Sequence, residues 1–158
     1  MRPLALLAIA FALAVPAQAG QPHYSARAQL AAAARAALTP VLADPSRAAD
    51  SARDIWRHPE ATLGFCRIEP AMSVVDYMPG GGWWTRILVP YLGVSGRYIA
   101  LNPDVHSGSD QMKRFFGDTA VNLPPKITEW TGVPATRFGA FNTDTMPATL
   151  NFAFVMLS

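Results

Sequence analysis

The chain has very little of two residue types on which many functional sites depend. It contains one cysteine, Cys66, and three histidines that are scattered through its 158 residues. A single cysteine cannot close an internal disulfide, and scattered histidines match no zinc-ligand spacing. We therefore expect a fold that its apolar core stabilises, with no bound metal.

The chain also has little net charge. Its 13 Lys and Arg residues nearly balance its 11 Asp and Glu residues, which leaves a formal charge of +2. Proteins that bind nucleic acids concentrate basic residues on one face, and no basic run is present here. We predict no nucleic-acid partner. The length and the 51% share of hydrophobic residues are typical of one globular domain.

The long apolar run of this sequence lies at its N-terminus. Arg2 precedes the apolar residues 4–15, and Ala17-Gln18-Ala19 follows them. A basic start, an apolar centre and small residues at the end are typical of a secretory signal peptide. The run is shorter than the roughly 20 residues that span a bilayer. We predict a signal peptide over residues 1–19, cleaved near Ala19-Gly20, and a periplasmic or secreted protein without a stable membrane span. An uncleaved membrane anchor is the alternative.

Helix and strand patterns alternate along the remaining chain. Helical spacing occurs in residues 25–42, 47–56, 83–92 and 111–116, and strand patterns in residues 73–77, 97–101, 136–141 and 149–157. Pro124 and Pro125 predict a break in helical structure. Alternation of this kind predicts an α/β fold with a mostly parallel sheet of about four strands, preceded by N-terminal helices. Because the sequence stops directly after a buried strand, we expect an incomplete sheet from a truncated or shortened domain.

The most informative segment is a glycine-rich turn between a strand and a helix. The strand pattern that contains Asp76 leads into Pro79-Gly80-Gly81-Gly82, and a helical pattern follows. Such a turn lets backbone amides approach a ligand at the start of a helix. A polar corner, Asn102-Pro103-Asp104, follows the next strand, where ligands of parallel sheets bind. These features predict a nucleotide-type cofactor site. The alternative is a tight turn that only joins the strand to the helix.

Three segments resemble a known family. Residues 57–65 (RHPEATLGF), residues 79–85 (PGGGWWT) and residues 90–98 (PYLGVSGRY) are similar to a group of predicted bacterial exported class I S-adenosylmethionine-dependent methyltransferases. Members carry a Pro-Gly-Gly-Gly-Trp-Tyr-Thr turn, and the similarity is good over residues 50–104 and weak beyond. The resemblance implies a Rossmann-like methyltransferase domain over residues 50–158, after a helical lead-in over residues 20–49. It also implies S-adenosyl-L-methionine as cofactor, with an undefined methyl acceptor.

The resemblance also assigns roles around the glycine turn. Asp76 takes the place of the family's acidic residue, Gly80 and Gly82 take those of its later glycines, and Met78 replaces its first glycine. Gly80, Gly81 and Gly82 would let the amino-acid half of the cofactor approach backbone amides. Asp76 would balance the positive charge of the ammonium or sulfonium group.

Further cofactor contacts are expected after the second and third strands. Asn102 lies where the family usually has its ribose-binding acid, and Asp104 is the alternative for that role. Asp144, after the predicted third strand, is a candidate neighbour of the adenine. No catalytic residue is predicted. The competing hypothesis is a non-catalytic exported remnant of this fold that binds a small ligand or a protein.

Overall fold

A computed structural model describes residues 30–150 and the backbone of residues 154–157. The predicted signal peptide lies outside the described residues. The elements follow in the order α1 (Ala32–Leu42), two 3-10 turns (Pro45–Arg47 and Ser51–Arg53), α2 (Asp54–Arg57), α3 (Pro59–Cys66), β1 (Ser73–Tyr77), α4 (Thr85–Leu92), β2 (Arg97–Asn102), α5 (Asp110–Phe116), α6 (Thr119–Thr131), a 3-10 turn (Ala135–Arg137), β3 (Phe138–Asn142) and β4 (Phe154–Leu157).

The four described strands form one parallel sheet in the order β3-β2-β1-β4. Val75 of β1 pairs with Ile99 of β2 on one side and with Val155 of β4 on the other. The predicted α/β class with a parallel sheet is therefore confirmed. This strand order is compatible with a Rossmann-like fold, in which strand 1 lies between strands 2 and 4.

The two faces of the sheet are covered differently. Val74 and Tyr98 point into the larger core cluster, which also holds the buried apolar residues of α1, α4 and α6. Val75 and Ile99 point to the opposite face, where a smaller cluster contains only loop and strand side chains among the described residues. Side chains of β1 and β2 are buried on both faces, as a parallel strand requires.

The N-terminal helices differ in part from the sequence prediction. The expected helix over residues 47–56 is instead two 3-10 turns followed by α2. Arg47 turns inward and is 1% exposed, and its Nη2 donates to Asp54 Oδ1 at 2.8 Å. Arg47 also donates to the carbonyl oxygen of Leu42, and these contacts hold the first 3-10 turn against the end of α1.

The predicted break at Pro124 and Pro125 is wrong, because both lie inside α6. A proline within a helix lacks the N–H that would bond to the carbonyl four residues earlier. The Asp118 side chain caps the helix by accepting from the N–H of Ala120. Ile127 of the same helix is completely buried. Packing of this apolar face offsets the missing hydrogen bonds. Local sequence patterns do not reveal such packing, because it depends on residues from other elements.

We predict that Ile127→Ala lowers the free energy of unfolding by about 2–5 kcal/mol, because it leaves a cavity in the main core. Val121→Ala on the same helix is the control, because Val121 is 65% exposed. It should change stability by no more than about 0.5 kcal/mol. Urea unfolding followed by circular dichroism measures both, and equal losses would contradict this placement of α6.

Candidate ligand site at the carboxyl ends of the strands

The chain turns sharply where β1 ends. Met78, Gly80 and Gly82 all have positive φ angles, of 58°, 53° and 79°. The N–H of Met78 donates to the carbonyl oxygen of Leu101, and the N–H of Gly82 donates to that of Pro79, each at 2.8 Å. Glycine accepts this backbone region freely, whereas Met78 adopts it at a cost of about 1–3 kcal/mol. The turn is thus tied to β2 and closed on itself.

The three glycines have different surroundings. A Cβ on Gly82 would lie 2.4 Å from a ring carbon of Trp130, so any other residue there would have to displace this indole. A Cβ on Gly80 would come no closer than 3.8 Å to the carbonyl oxygen of Met78. A Cβ on Gly81 would meet no described heavy atom within 4 Å, and its φ is not positive. Packing and backbone conformation therefore both favour glycine at position 82, and backbone conformation favours it at position 80.

A hollow of about 180 Å³ lies beside this turn. Pro79 and Gly80 form one wall, and Asn102 at the end of β2 lines it too. The remaining lining comes from α5 and α6: Phe115, Phe116, Thr119, Asn122, Leu123 and Lys126. The structure therefore brings Gly80 and Asn102 together, as expected from the sequence. The structure also shows that helices α5 and α6 line the hollow, which the sequence patterns did not predict.

Asp76 lies inside the protein, not among the residues that line the hollow. Its side chain is fully buried, and its Oδ2 accepts a hydrogen bond from the Tyr98 hydroxyl at 2.8 Å. The same hydroxyl lies 2.8 Å from Thr85 Oγ1 at the start of α4. Burial, and then the negative charge of Asp76, raise the pKa of Tyr98 well above its usual value of 10. The expected contact between Asp76 and the cofactor stays a prediction.

Two asparagines join the strand ends to helix α6. The Nδ2 of Asn102 donates to Thr119 Oγ1 at 3.0 Å, and Asn142 Oδ1 accepts from the N–H of Thr119 at 2.9 Å. Asn142 also donates to the carbonyl oxygen of Pro103 at 2.9 Å. These bonds hold the first turn of α6 over the hollow. Asn142 was not predicted as a site residue, although it directly follows the predicted third strand.

Asp104 and Asp144 lie together, outside the lining of the hollow. Asp144 Oδ2 is hydrogen-bonded to His106 Nδ1, and Asp104 Oδ1 accepts the backbone N–H of His106 at 2.7 Å. A hydrogen bond from the Ser107 side chain is the main cause that lowers the pKa of Asp104. The predicted ribose and adenine contacts of these two carboxylates stay predictions.

The same group has the composition of a cation-binding cluster. One donor atom from each of Asp104, His106 and Asp144 lies within 4.8 Å of the others, close enough for one divalent cation to bridge them. Histidine and cysteine spacing in the sequence does not reveal this group, because two of its three members are carboxylates. Exposed acidic groups commonly show such spacing without an ion, and the cluster by itself assigns no metal.

No family model, curated protein or solved structure matches this chain. Within the part of the chain that the structure describes, no helix combines the length and apolar character needed to cross a membrane. The strand topology and the geometry of the hollow are therefore the basis for a functional assignment.

We predict that Tyr98→Phe lowers the free energy of unfolding by about 1–3 kcal/mol at neutral pH, because it removes the hydroxyl that donates to Asp76. Tyr98→Phe should also change how the free energy of unfolding depends on pH above about 10. The pKa of Tyr98 is higher in the folded than in the unfolded protein. As the pH rises above about 10, the unfolded state releases this proton first, and wild-type stability falls. The variant lacks this contribution and should lose less stability.

Urea midpoints at about pH 8 and about pH 11 give the comparison, provided that unfolding is reversible at both. Tyr91→Phe is the matched control, because burial and then the Glu69 charge raise the pKa of Tyr91 to about 12. The Tyr91 hydroxyl donates to the carbonyl oxygen of Ile68, away from Asp76. Tyr91→Phe should also reduce the alkaline loss, with a smaller cost at neutral pH. An unchanged alkaline loss in Tyr98→Phe would contradict the buried pairing.

Proposed function

We propose that the protein binds S-adenosyl-L-methionine at the turn after β1 and is a methyltransferase of the Rossmann-like class I type. One observation carries this proposal: Pro79 and Gly80 share a hollow with Asn102. In open parallel sheets, ligands bind beyond the carboxyl ends of the strands, near the point where strand order reverses. β1 lies at that point here, between β2 and β4.

The residues around the hollow suit different parts of this cofactor. Gly80 leaves the backbone accessible to the amino-acid half, and Asn102 supplies an amide near the expected ribose position. Phe115 and Phe116 offer apolar surface for a purine ring, and Lys126 offers a positive charge for a carboxylate. When bound, the cofactor would supply an electrophilic methyl group, whose bond to the sulfonium sulfur would break as the bond to the acceptor forms. Transfer by in-line displacement then depends mainly on how the protein positions the acceptor.

The size of the hollow favours a second candidate function. Its volume of about 180 Å³ is below the roughly 300–1,000 Å³ typical of pockets that enclose a small molecule. A full cofactor would therefore extend beyond the hollow. The second candidate is a non-catalytic module that binds a smaller ligand at the same turn. The order of basic, apolar and small residues in positions 1–19 supports export for either candidate.

We predict that Gly80→Ala weakens binding of S-adenosyl-L-methionine by about tenfold or more. The methyl group of alanine would take up space where the ligand approaches the backbone. Isothermal titration calorimetry of the wild type and the variant measures this change. Gly81→Ala should bind like wild type, because Gly81 does not line the hollow and its Cβ has open space.

Gly132→Ala controls for backbone strain. Gly132 also has a positive φ, of 68°, and a methyl group there would meet no described heavy atom within 4 Å. It lies at the end of α6 and does not line the hollow. Gly132→Ala should therefore lose stability without losing affinity. No binding heat from the wild type would contradict the proposed cofactor. Equal loss of affinity in Gly80→Ala and Gly132→Ala would contradict the site.

A further inference from the structure

The side of the glycine turn away from the hollow is held by an ion pair. Asp50 precedes the second 3-10 turn, and its Oδ2 accepts from Arg86 Nη1 at 2.7 Å. The same nitrogen of Arg86 donates to the carbonyl oxygen of Gly81 at 2.9 Å. Both side chains are only about one-fifth exposed, at 20% and 18%. Arg86 thus links a carboxylate of the N-terminal segment directly to the backbone of the turn.

Two indoles complete this support. Trp83 is buried, and its Nε1 donates to the carbonyl oxygen of Asp50 at 3.1 Å. The guanidinium of Arg86 lies over the ring of Trp130, 4.8 Å from its centroid, and this ring covers Gly82. The turn is therefore fixed at Gly81 and Gly82 by groups that do not line the hollow, whereas Pro79 and Gly80 face it.

We propose that Asp50 is a positioning residue for the ligand site. By orienting Arg86, it holds the carbonyl of Gly81 and keeps the turn in the conformation that presents Gly80 to the hollow. Asp50 lies 36 residues before Arg86, in a segment that contributes no residue to the hollow's lining. Its role in ligand affinity rests on the proposed function, but its hold on the turn can be measured without any ligand.

The chain offers a matched control for a purely structural effect. Asp54 lies four residues after Asp50 and also pairs with an arginine, since its Oδ1 accepts from Arg47 Nη2 at 2.8 Å. Its side chain is 23% exposed, close to the 20% of Asp50. Within the described chain, the hydrogen bonds of the Arg47 guanidinium go to Asp54 and to the carbonyl oxygen of Leu42. The Arg47 guanidinium also lies over the Trp83 ring, 5.8 Å from its centroid, whereas the Asp54 side chain is hydrogen-bonded to Arg47 and not to the turn among the described residues. Loss of this pair should therefore destabilise the protein with much less effect on the glycine turn than loss of the Asp50–Arg86 pair.

The test compares Asp50→Asn with Asp54→Asn in the full chain. Exchange of the Gly82 amide hydrogen is the first readout, because this N–H donates to the carbonyl oxygen of Pro79 and closes the turn. Exchange should accelerate about fivefold in Asp50→Asn and less than about twofold in Asp54→Asn. Arg86→Gln replaces the guanidinium with a shorter, uncharged amide and should accelerate exchange at least as much. Titration with S-adenosyl-L-methionine is the second readout, with an expected loss of about fivefold in affinity for Asp50→Asn only.

The outcomes separate the two proposals. Faster Gly82 exchange in Asp50→Asn, together with a wild type that gives no binding heat, supports the hold on the turn and contradicts the cofactor assignment. Unchanged exchange in both Asp50→Asn and Arg86→Gln overturns the positioning role, whatever the wild type binds. Equal acceleration in Asp54→Asn overturns it too, because general destabilisation then explains the effect. Faster exchange with unchanged affinity shows that Asp50 does not serve the site.

Discussion

Parallel pairing between β1 and β2 is the constraint on which the candidate site depends. Tyr77 at the end of β1 pairs with Leu101, one residue before β2 ends at Asn102. The glycine turn and the polar corner therefore leave the sheet at the same level and meet at one edge. The bond from the Met78 N–H to the carbonyl oxygen of Leu101 extends this pairing into the turn. An antiparallel pairing would carry these two segments to opposite ends of the sheet.

A buried polar group secures the same junction from inside. The Tyr98 hydroxyl of β2 contacts Asp76 of β1 and Thr85 of α4, so one hydroxyl joins the two central strands to the helix after the turn. Satisfied polar groups in a core favour one arrangement over others, because any slip would leave them unpaired at a high cost. The surrounding apolar residues supply most of the buried area. The hydrogen bonds of the Tyr98 hydroxyl fix how β1, β2 and α4 align with one another.

Local sequence patterns predicted the elements whose formation depends on neighbouring residues. The bounds of β1, residues 73–77, were predicted correctly because β-branched and apolar residues end there at a glycine-rich turn. The continuity of helix α6 through Pro124 and Pro125 was not predicted, because burial of Ile127 outweighs the two prolines and that burial depends on distant partners. The meeting of His106 with Asp144, 38 residues away, likewise depends on how two loops leave neighbouring strands. The glycine-rich turn and the polar corner after the second strand indicated Gly80 and Asn102, which line the hollow, but not its helical wall.

The position of β4 has a consequence for the order in which the chain folds. β2 and β3 pair with strands that are near in sequence, whereas Val74 of β1 pairs with Phe154, about 80 residues later. During synthesis, one edge of β1 stays without its partner until nearly all of the described chain has emerged. Closure of such a long loop is slow, and an open strand edge attracts other chains. The strand that carries the glycine turn is therefore the one whose free edge is exposed to aggregation while the chain folds.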